Sequence, residues 1–325
     1  MGYKRSISDF KSIDLKQMRP KGFLERVNCS IKEKAKKVKQ KHGMKTVEKC
    51  PVCSSKEFHV EFSKFDIDIV CCDFCSLRYS KKIPVNAEDI YSDSEYLPSS
   101  INVYIKNAEF RKERFAKERI ELISKYVHPL NGKRLLDIGC GTGWFLEVAR
   151  EYGFEIFGQE LGKELADWSS ERLGIKIFKG PISDIQISNT FDVITMFDLL
   201  EHVENPLQLI LDCKRILNDK GIILVFAPNF DSLAIHVMKE HSNLISPVGH
   251  LTYFTEKSVT SLSQNSGMNL IYFQTKGIDL GDLKSYYEYI GECELERACE
   301  KLYDTLQPLI DESGAGNHLR FILSK

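Results

Sequence analysis

The chain has 325 residues, 28% charged and 42% hydrophobic, with a net charge of −1, the profile of a globular protein with one large domain plus appendages or two domains. It contains no run of about 18 apolar residues and no apolar core of a secretory signal at its start, so a helical membrane span and a secretion signal are not expected. Ten cysteines in such a chain point to a reducing, cytoplasmic setting, where clustered pairs suggest metal before disulfide.

The near-neutral total hides an asymmetry. Residues 1–49 carry fifteen Lys/Arg against five Asp/Glu, a surplus of ten, which leaves the remainder acidic by eleven. The densest stretch, Ile31 to Lys41, reads as a solvated helix or a loose tail. It lacks aromatic residues on which bases could stack, so nucleic acid is not an expected partner.

Residues 50–82 form the next unit. Cys50-x2-Cys53 and Cys72-x2-Cys75 are separated by eighteen residues, a spacing suited to four thiolates around one tetrahedral zinc. Pairing Cys71 with Cys75 instead would widen the second knuckle, so Cys72 is the expected ligand. Between the pairs, 57–62 and 66–70 alternate like the strands of a small ribbon, which zinc would help to fold. Four ligands close the shell, so the site is expected to be structural. A tyrosine-bearing linker follows over 83–96, then an amphipathic helix from Asn107 to Val127 with Phe110, Phe115, Ile120, Leu122 and Ile123 facing inward.

From there strand and helix alternate in the doubly wound, Rossmann-like α/β manner. Strands are expected at 134–138, 155–158, 176–178, 191–196, 222–226 and 269–274, with a last, antiparallel one at 318–323, seven in all. Helices are expected at 143–152, 163–173, 207–217 and 258–266, and 229–257 reads as an insertion covering the substrate. The first strand ends in Asp137 and runs into Gly139, Gly141 and Gly143 before a helix, which makes a nucleotide-binding corner. The glycine spacing is G-x-G-x-G, not the G-x-G-x-x-G of dinucleotide sites, which argues against an NAD-type oxidoreductase. Glu160, twenty-one residues past Gly139 at the end of the second strand, is placed to accept ribose hydroxyls. Ile182 follows the third strand, where an adenine would lie, and Phe197 closes the fourth.

The Asp137-x-Gly139-x-Gly141-x-Gly143 turn resembles motif I of the class I S-adenosylmethionine-dependent methyltransferases. The stretch FDVI…FDLLEHVENP…RILNDKGIILVFAPN resembles the middle of the small-molecule members, and His250-x-x-Tyr253-Phe254-Thr255 resembles the segment after their fifth strand. The resemblance spans roughly residues 85–325, within a domain expected over 83–325, and implies methyl transfer from S-adenosylmethionine to a small-molecule acceptor, with Asp137, the three glycines, Glu160, Ile182 and Phe197 at the cofactor. A zinc ribbon before such a domain is similar to the nucleotide-sugar C-methyltransferases, which implies His250 as general base with His202 beside it; His236 and His241 in the insertion are alternatives. Other relatives, the small-RNA and ubiquinone-pathway O-methyltransferases, hold a divalent ion with E-x-x-E-H, which here implies Asp198, Glu201, His202 and His250. Spaced i, i+3, i+4, the first three would share a helix face. A non-catalytic binding module on the same scaffold is the remaining reading, opposed by the intact Asp137, Gly139, Gly141 and Glu160.

Overall fold

The computed structural model describes residues 4–5, 10–87, 90, 96–185 and 190–325. A two-residue strand, β1 (Lys4–Arg5), precedes one helical turn, α1 (Leu15–Met18), which the Asp14 carboxylate caps by accepting the Lys16 and Gln17 N–H groups. The basic stretch is a helix, α2 (Phe23–His42), and only part of it is solvated. Its Ala35 and Val38 are buried against Ile67, Ile90 and Val248.

The ribbon comprises β3 (Phe58–Lys64), β4 (Ile67–Cys72) and β5 (Arg78–Ser80), preceded by β2 (Met44–Thr46) and followed by β6 (Lys82–Pro84), which pair with each other. Part of the expected linker, including Tyr91 and Glu95, lies outside the described residues; Ile83 and Pro84 belong to β6. The amphipathic helix starts earlier than expected, as α3 (Tyr96–Arg111), and passes through a π turn at Lys112–Ala116 into α4 (Lys117–Ser124). Arg119, Ile120, Leu122 and Ile123 are buried on α4.

The elements of the α/β region follow: β7 (Arg134–Ile138), α5 (Trp144–Glu151), β8 (Glu155–Glu160), α6 (Lys163–Leu173), β9 (Ile177–Lys179), β10 (Phe191–Phe197), α7 (Pro206–Ile216) and β11 (Leu217–Pro228). After them come α8 (Leu233–Met238), β12 (Thr252–Tyr253), α9 (Glu256–Ser266), β13 (Asn269–Thr275), α10 (Asp279–Ile290), α11 (Cys293–Glu312) and β14 (His318–Ser324). The main sheet has the order β1-β13-β14-β11-β10-β7-β8-β9. All its neighbours are parallel except β14, which runs antiparallel to both β11 and β13. The seven expected strands are present in that order, and β1 adds an eighth at the edge.

Three features differ from expectation. β11 begins at Leu217, because the Asn218–Gly221 turn is absorbed where the β10–β11 register shifts between Phe191 and Val193. Helices α10 and α11 fill the stretch before β14 and bury Leu280, Leu283, Cys299 and Tyr303 against Leu15, Leu24, Ala234 and Met238. The ribbon is also less separate than its spacing implies. Its sheet has the order β12-β5-β4-β3, so the 229–257 insertion supplies one edge strand. Cys50, Val52, Cys72, Cys75 and Leu77 share one apolar core with Leu136, Ile194 and Ile223 of the main sheet. Among the described residues no helix is long and apolar enough to cross a membrane.

Strand order reverses between β7 and β10, so a crevice opens at their carboxyl ends, the usual ligand position in such sheets. The turn leading into it tolerates little. Gly143 has a φ of 72°, and a Cβ there would stand 2.5 Å from Leu173 Cδ1. Gly143→Ala is therefore expected to lower stability by about 1–3 kcal/mol through strain and overpacking. Denaturant unfolding with an unchanged midpoint would show that the turn relaxes freely.

Candidate functional site

Gly139, Gly141 and Gly143 all have positive φ, 66°, 52° and 72°, which explains why glycine stands at each alternate position. The turn is pinned from β8. The Gly139 N–H donates to Gln159 Oε1 at 3.2 Å, and Gln159 Nε2 donates to the Gly180 carbonyl at 2.7 Å. The Glu160 carboxylate accepts the Gly141 N–H at 3.1 Å and the Gly162 N–H at 2.9 Å, one on each oxygen. Burial raises its pKa against those bonds. Asp137 is buried under the turn and accepts from Thr195 Oγ1 at 2.7 Å. Burial pushes it up to about 7, opposed by the Thr195 bond and the Arg119 charge.

A cavity of about 850 Å³ lies above this turn, lined by Gly139, Gln159, Glu160, Ile182, Asp198 and His202. Of the residues expected at a cofactor, Gly139, Glu160 and Ile182 face it directly. Asp137, Gly141 and Gly143 build the turn beneath. Phe197 packs edge-on between Phe145 and Phe226, ring centres 4.8 and 5.2 Å away, and is not among the residues lining the cavity.

Sequence reasoning missed Arg119. It is 7% exposed, its guanidinium lies 3.8 Å from the Phe197 ring centre, and its Nε and Nη1 have no hydrogen-bond partner. Burial lowers its pKa to about 10. Its position on the inward stripe of α4, between Ala116 and Ile123, was the available signal. Arg119 lines a second cavity of about 290 Å³ together with Trp144, Phe226, His318 and Arg320, and Asp198 lines both cavities.

His318 was also missed, because one histidine opening an apolar strand carries no local signature. Asn317 Nδ2 donates to Asp282 Oδ2 at 2.7 Å, so Asn317 Oδ1 faces His318 Nδ1 at 2.9 Å and accepts its proton. That leaves the Nε2 lone pair, which stands 3.8 Å from Asp198 Oδ1. Burial lowers the His318 pKa; Asp198 and Asp282 oppose this, and Arg320 and Arg19 add to it.

The Asp198/Glu201/His202 helix face does not form. Asp198 has a φ of 54°, and Leu200–His202 is a single 3₁₀ turn, so the i, i+3, i+4 geometry is lost and Asp198 turns toward His318. Glu201, His202 and His250 do come together, with one donor atom of each within 4.8 Å of the others. His202 Nδ1 donates to the Gly249 carbonyl at 2.7 Å and His250 Nδ1 to the Leu244 carbonyl at 2.8 Å, which makes Nε2 the acceptor nitrogen of each neutral ring, and His202 Nε2 lies 3.9 Å from Glu201 Oε1. Glu201 is buried and its Oε2 has no partner; burial and Asp198 raise its carboxyl well above the ordinary range. Burial, then the His202 charge, lowers His250 to about 3. His236 donates to the Ser232 carbonyl and His241 lies against Tyr286 and Tyr289; neither lines the two cavities.

In the ribbon, Cys50, Cys53, Cys72 and Cys75 converge, with Cys50–Cys75 and Cys53–Cys72 sulfurs 3.5 Å apart and all four within 4.8 Å. Sulfurs about 2.3 Å from a tetrahedral ion lie about 3.8 Å apart, so the donor set fits zinc. Cys71 turns its thiol to the Cys72 carbonyl and groups with His59 and Glu61 instead.

The family model described as a methyltransferase domain matches residues 108–272. A ubiquinone biosynthesis O-methyltransferase of Actinobacillus pleuropneumoniae serotype 7 is 33% identical over 116 residues, 32% of this chain and 50% of that protein. The protein of the same name in Vibrio parahaemolyticus is 26% identical over 189 residues, 50% of this chain and 80% of that protein. The chain spans about half the length of the first curated relatives it matches. In fold it is similar to phosphoethanolamine N-methyltransferase 2 of Haemonchus contortus, solved with S-adenosyl-L-methionine, at 16% identity and a TM-score of 0.51 over 76% of this chain and 62% of that one.

Behind the second cavity, Glu118 accepts from Arg320 at 2.8 Å, Lys276 at 2.5 Å and Arg114 at 3.3 Å. Burial alone would raise its carboxyl, but Arg320 and Lys276 outweigh that and hold it at about 2. A depressed carboxylate stabilises the fold above its unfolded pKa, and this contribution fades as pH falls from about 4.5 toward 2. Glu118→Gln is expected to cost about 3–5 kcal/mol at neutral pH, the range for removing one partner of a buried charge cluster. It should also flatten the acid limb of the stability curve. Equal stability of variant and wild type at pH 7 would contradict the assigned role.

Proposed function

The chain belongs to the methyltransferase domain family, and we propose that it transfers a methyl group from S-adenosylmethionine to a small-molecule acceptor. One observation carries this reading: two cavities, one on the glycine turn and Glu160, the other on the β11 and β14 side, share Asp198 as a lining residue. S-adenosylmethionine, when bound, supplies a methyl already activated by its sulfonium. The protein must then align the partners and take up any proton released.

The residues present fit such a ligand. Glu160 keeps acceptor capacity beyond its two backbone bonds and is suited to ribose hydroxyls. Ile182 and Leu161 offer an apolar wall for an adenine. The unpartnered Arg119 guanidinium, stacked on Phe197 close to Asp137, suits the ligand's carboxylate. The proton acceptor is better placed at His318 than at His250. His318 lines the second cavity with its Nε2 3.8 Å from Asp198 Oδ1, so Asp198 can stabilise the imidazolium. At about 3, His250 is a weak base.

A second reading is favoured by the orphan Glu201 Oε2: a divalent ion held by Glu201, His202 and His250, both histidines being in the neutral, ligating form. Such an ion would polarise an acceptor oxygen. The four ribbon thiolates would hold a separate, structural zinc.

Glu160→Ala removes hydrogen bonds worth roughly 1.5–3 kcal/mol when one partner is charged. S-adenosylmethionine affinity should fall at least about tenfold by calorimetry; an unchanged affinity would displace the ribose from this position.

His318→Ala should lower kcat by about 10²–10⁴ while leaving S-adenosylmethionine affinity intact. Because the neutral ring is required, wild-type kcat should fall as pH drops through a value below the ordinary histidine range of about 6.5. Full activity in the variant would return the role to the His202/His250 pair. There, chelator inhibition reversed by magnesium or manganese supports the ion, once loss of the ribbon zinc is excluded.

Zinc itself is checked by elemental analysis. One ion per chain is expected, lost in Cys72→Ser and kept in Cys71→Ser, and the opposite pattern would shift the ligand register.

A further inference from the structure

We propose that the second cavity is the acceptor pocket and that its acceptor carries an anionic group, a carboxylate or a phosphate, held by Arg320, Lys276 and Arg114. The inference rests on the methyl-transfer reading and adds the acceptor's chemical class to it.

Position comes first. The cavity shares Asp198 as a lining residue with the cofactor cavity, and it extends from Arg119, the residue assigned to the cofactor's carboxylate, over the ends of β11, β13 and β14. An acceptor there would present its reacting end to Asp198 and His318. Arg320, Lys276 and Arg114 line the same space, gathered on the Glu118 carboxylate.

Charge is the second argument. Seven cationic side chains line the cavity against two carboxylates, Asp198 and Asp311. Adding Glu118, and Asp282, which pairs with Arg19 at 2.6 Å, still leaves three positive charges in excess. Arg119, assigned to the cofactor's carboxylate, accounts for one of them. Of the others, Lys11 is exposed, whereas the Glu118 cluster lies where desolvation is costly. Arg320 is 9% exposed, and its Nε and that of Arg114 have no partner. A buried guanidinium with an open N–H is stabilised by an anion that accepts from it, and its planar fork matches carboxylate or phosphate oxygens. Phe10, Phe115, Trp144 and Phe226 supply apolar walls, so the body of the acceptor is expected to be apolar. About 290 Å³ suits a small molecule and not a polymer.

The test uses the full chain saturated with S-adenosylhomocysteine, so that the cofactor's own carboxylate already occupies its place. Inorganic phosphate and, separately, benzoate are titrated by calorimetry. Saturable binding of either anion is expected, and whichever binds more tightly identifies the acceptor's group. Arg320→Gln and Lys276→Gln should each weaken that binding at least tenfold with S-adenosylhomocysteine affinity unchanged. Should the Arg320 variant fail to fold, Arg114→Gln, whose side chain lies at the edge of the cluster, provides the same comparison. No saturable binding of either anion to the loaded wild type would overturn the proposal. So would variants that lose anion and S-adenosylhomocysteine affinity together, since the cations would then serve the cofactor. Failure of S-adenosylhomocysteine itself to bind would instead overturn the methyl-transfer reading, and this inference with it.

Discussion

One buried hydrogen bond holds the centre of the molecule, from Thr195 Oγ1 to the Asp137 carboxylate at 2.7 Å. The two residues are direct partners across β10 and β7, the strands between which the sheet reverses its order. A carboxylate buried there is costly unless it is hydrogen-bonded. The bond therefore fixes where β7 ends, and hence where the glycine turn begins. From that point the rest follows by connection: Gly139 is tied to Gln159, Gly141 to Glu160, and Asp198 leaves β10 three residues after Thr195. The first cavity lies over that turn, and Asp198 lines both.

The ribbon contributes more than its closed set of thiolates suggests. The Ser80 N–H donates to the Leu251 carbonyl, and the Leu251 N–H donates to the Glu201 carbonyl. Backbone bonds thus run from the ribbon's third strand, through the residue beside His250, to the turn carrying Glu201 and His202. Thr252 and Tyr253 complete the ribbon sheet at the same place. A metal that folds the ribbon would therefore also hold the Glu201/His202/His250 cluster in position without touching any ligand.

Much of this architecture was legible in the sequence, for local reasons. Apolar runs of strand length bounded by turn residues gave the seven main strands, and the cysteine spacing picked the four thiols that converge. β1 is two residues long and carries no periodicity. Its pairing with β13 is set by tertiary contact. Helices α10 and α11 went unread between two strong strand signals, and α11 even contains Pro308. The expected Asp198/Glu201/His202 face failed because one left-handed residue breaks the helical spacing. Arg119, His318 and Arg320 were invisible for a different reason: Arg119 is one charge among many on its helix, His318 and Arg320 are isolated polar residues in an apolar strand, and their convergence is made by distant segments.

The electrostatics of the two cavities are opposite. Asp137 and Glu160 lie under and beside the first, whereas cations dominate the second. On the proposed reading, a sulfonium would be less disfavoured in the first than among the cations of the second, and an anionic acceptor would be treated in the reverse sense. Charge therefore sorts the two ligands before shape does, by penalising the wrong arrangement as well as favouring the right one. Asp198 sits where the two fields meet. If His318 takes up a proton from the acceptor, positive charge would appear on its ring, 3.8 Å from Asp198. A carboxylate in the lining of both cavities would oppose that charge, which gives a physical reason for an acid at this left-handed position.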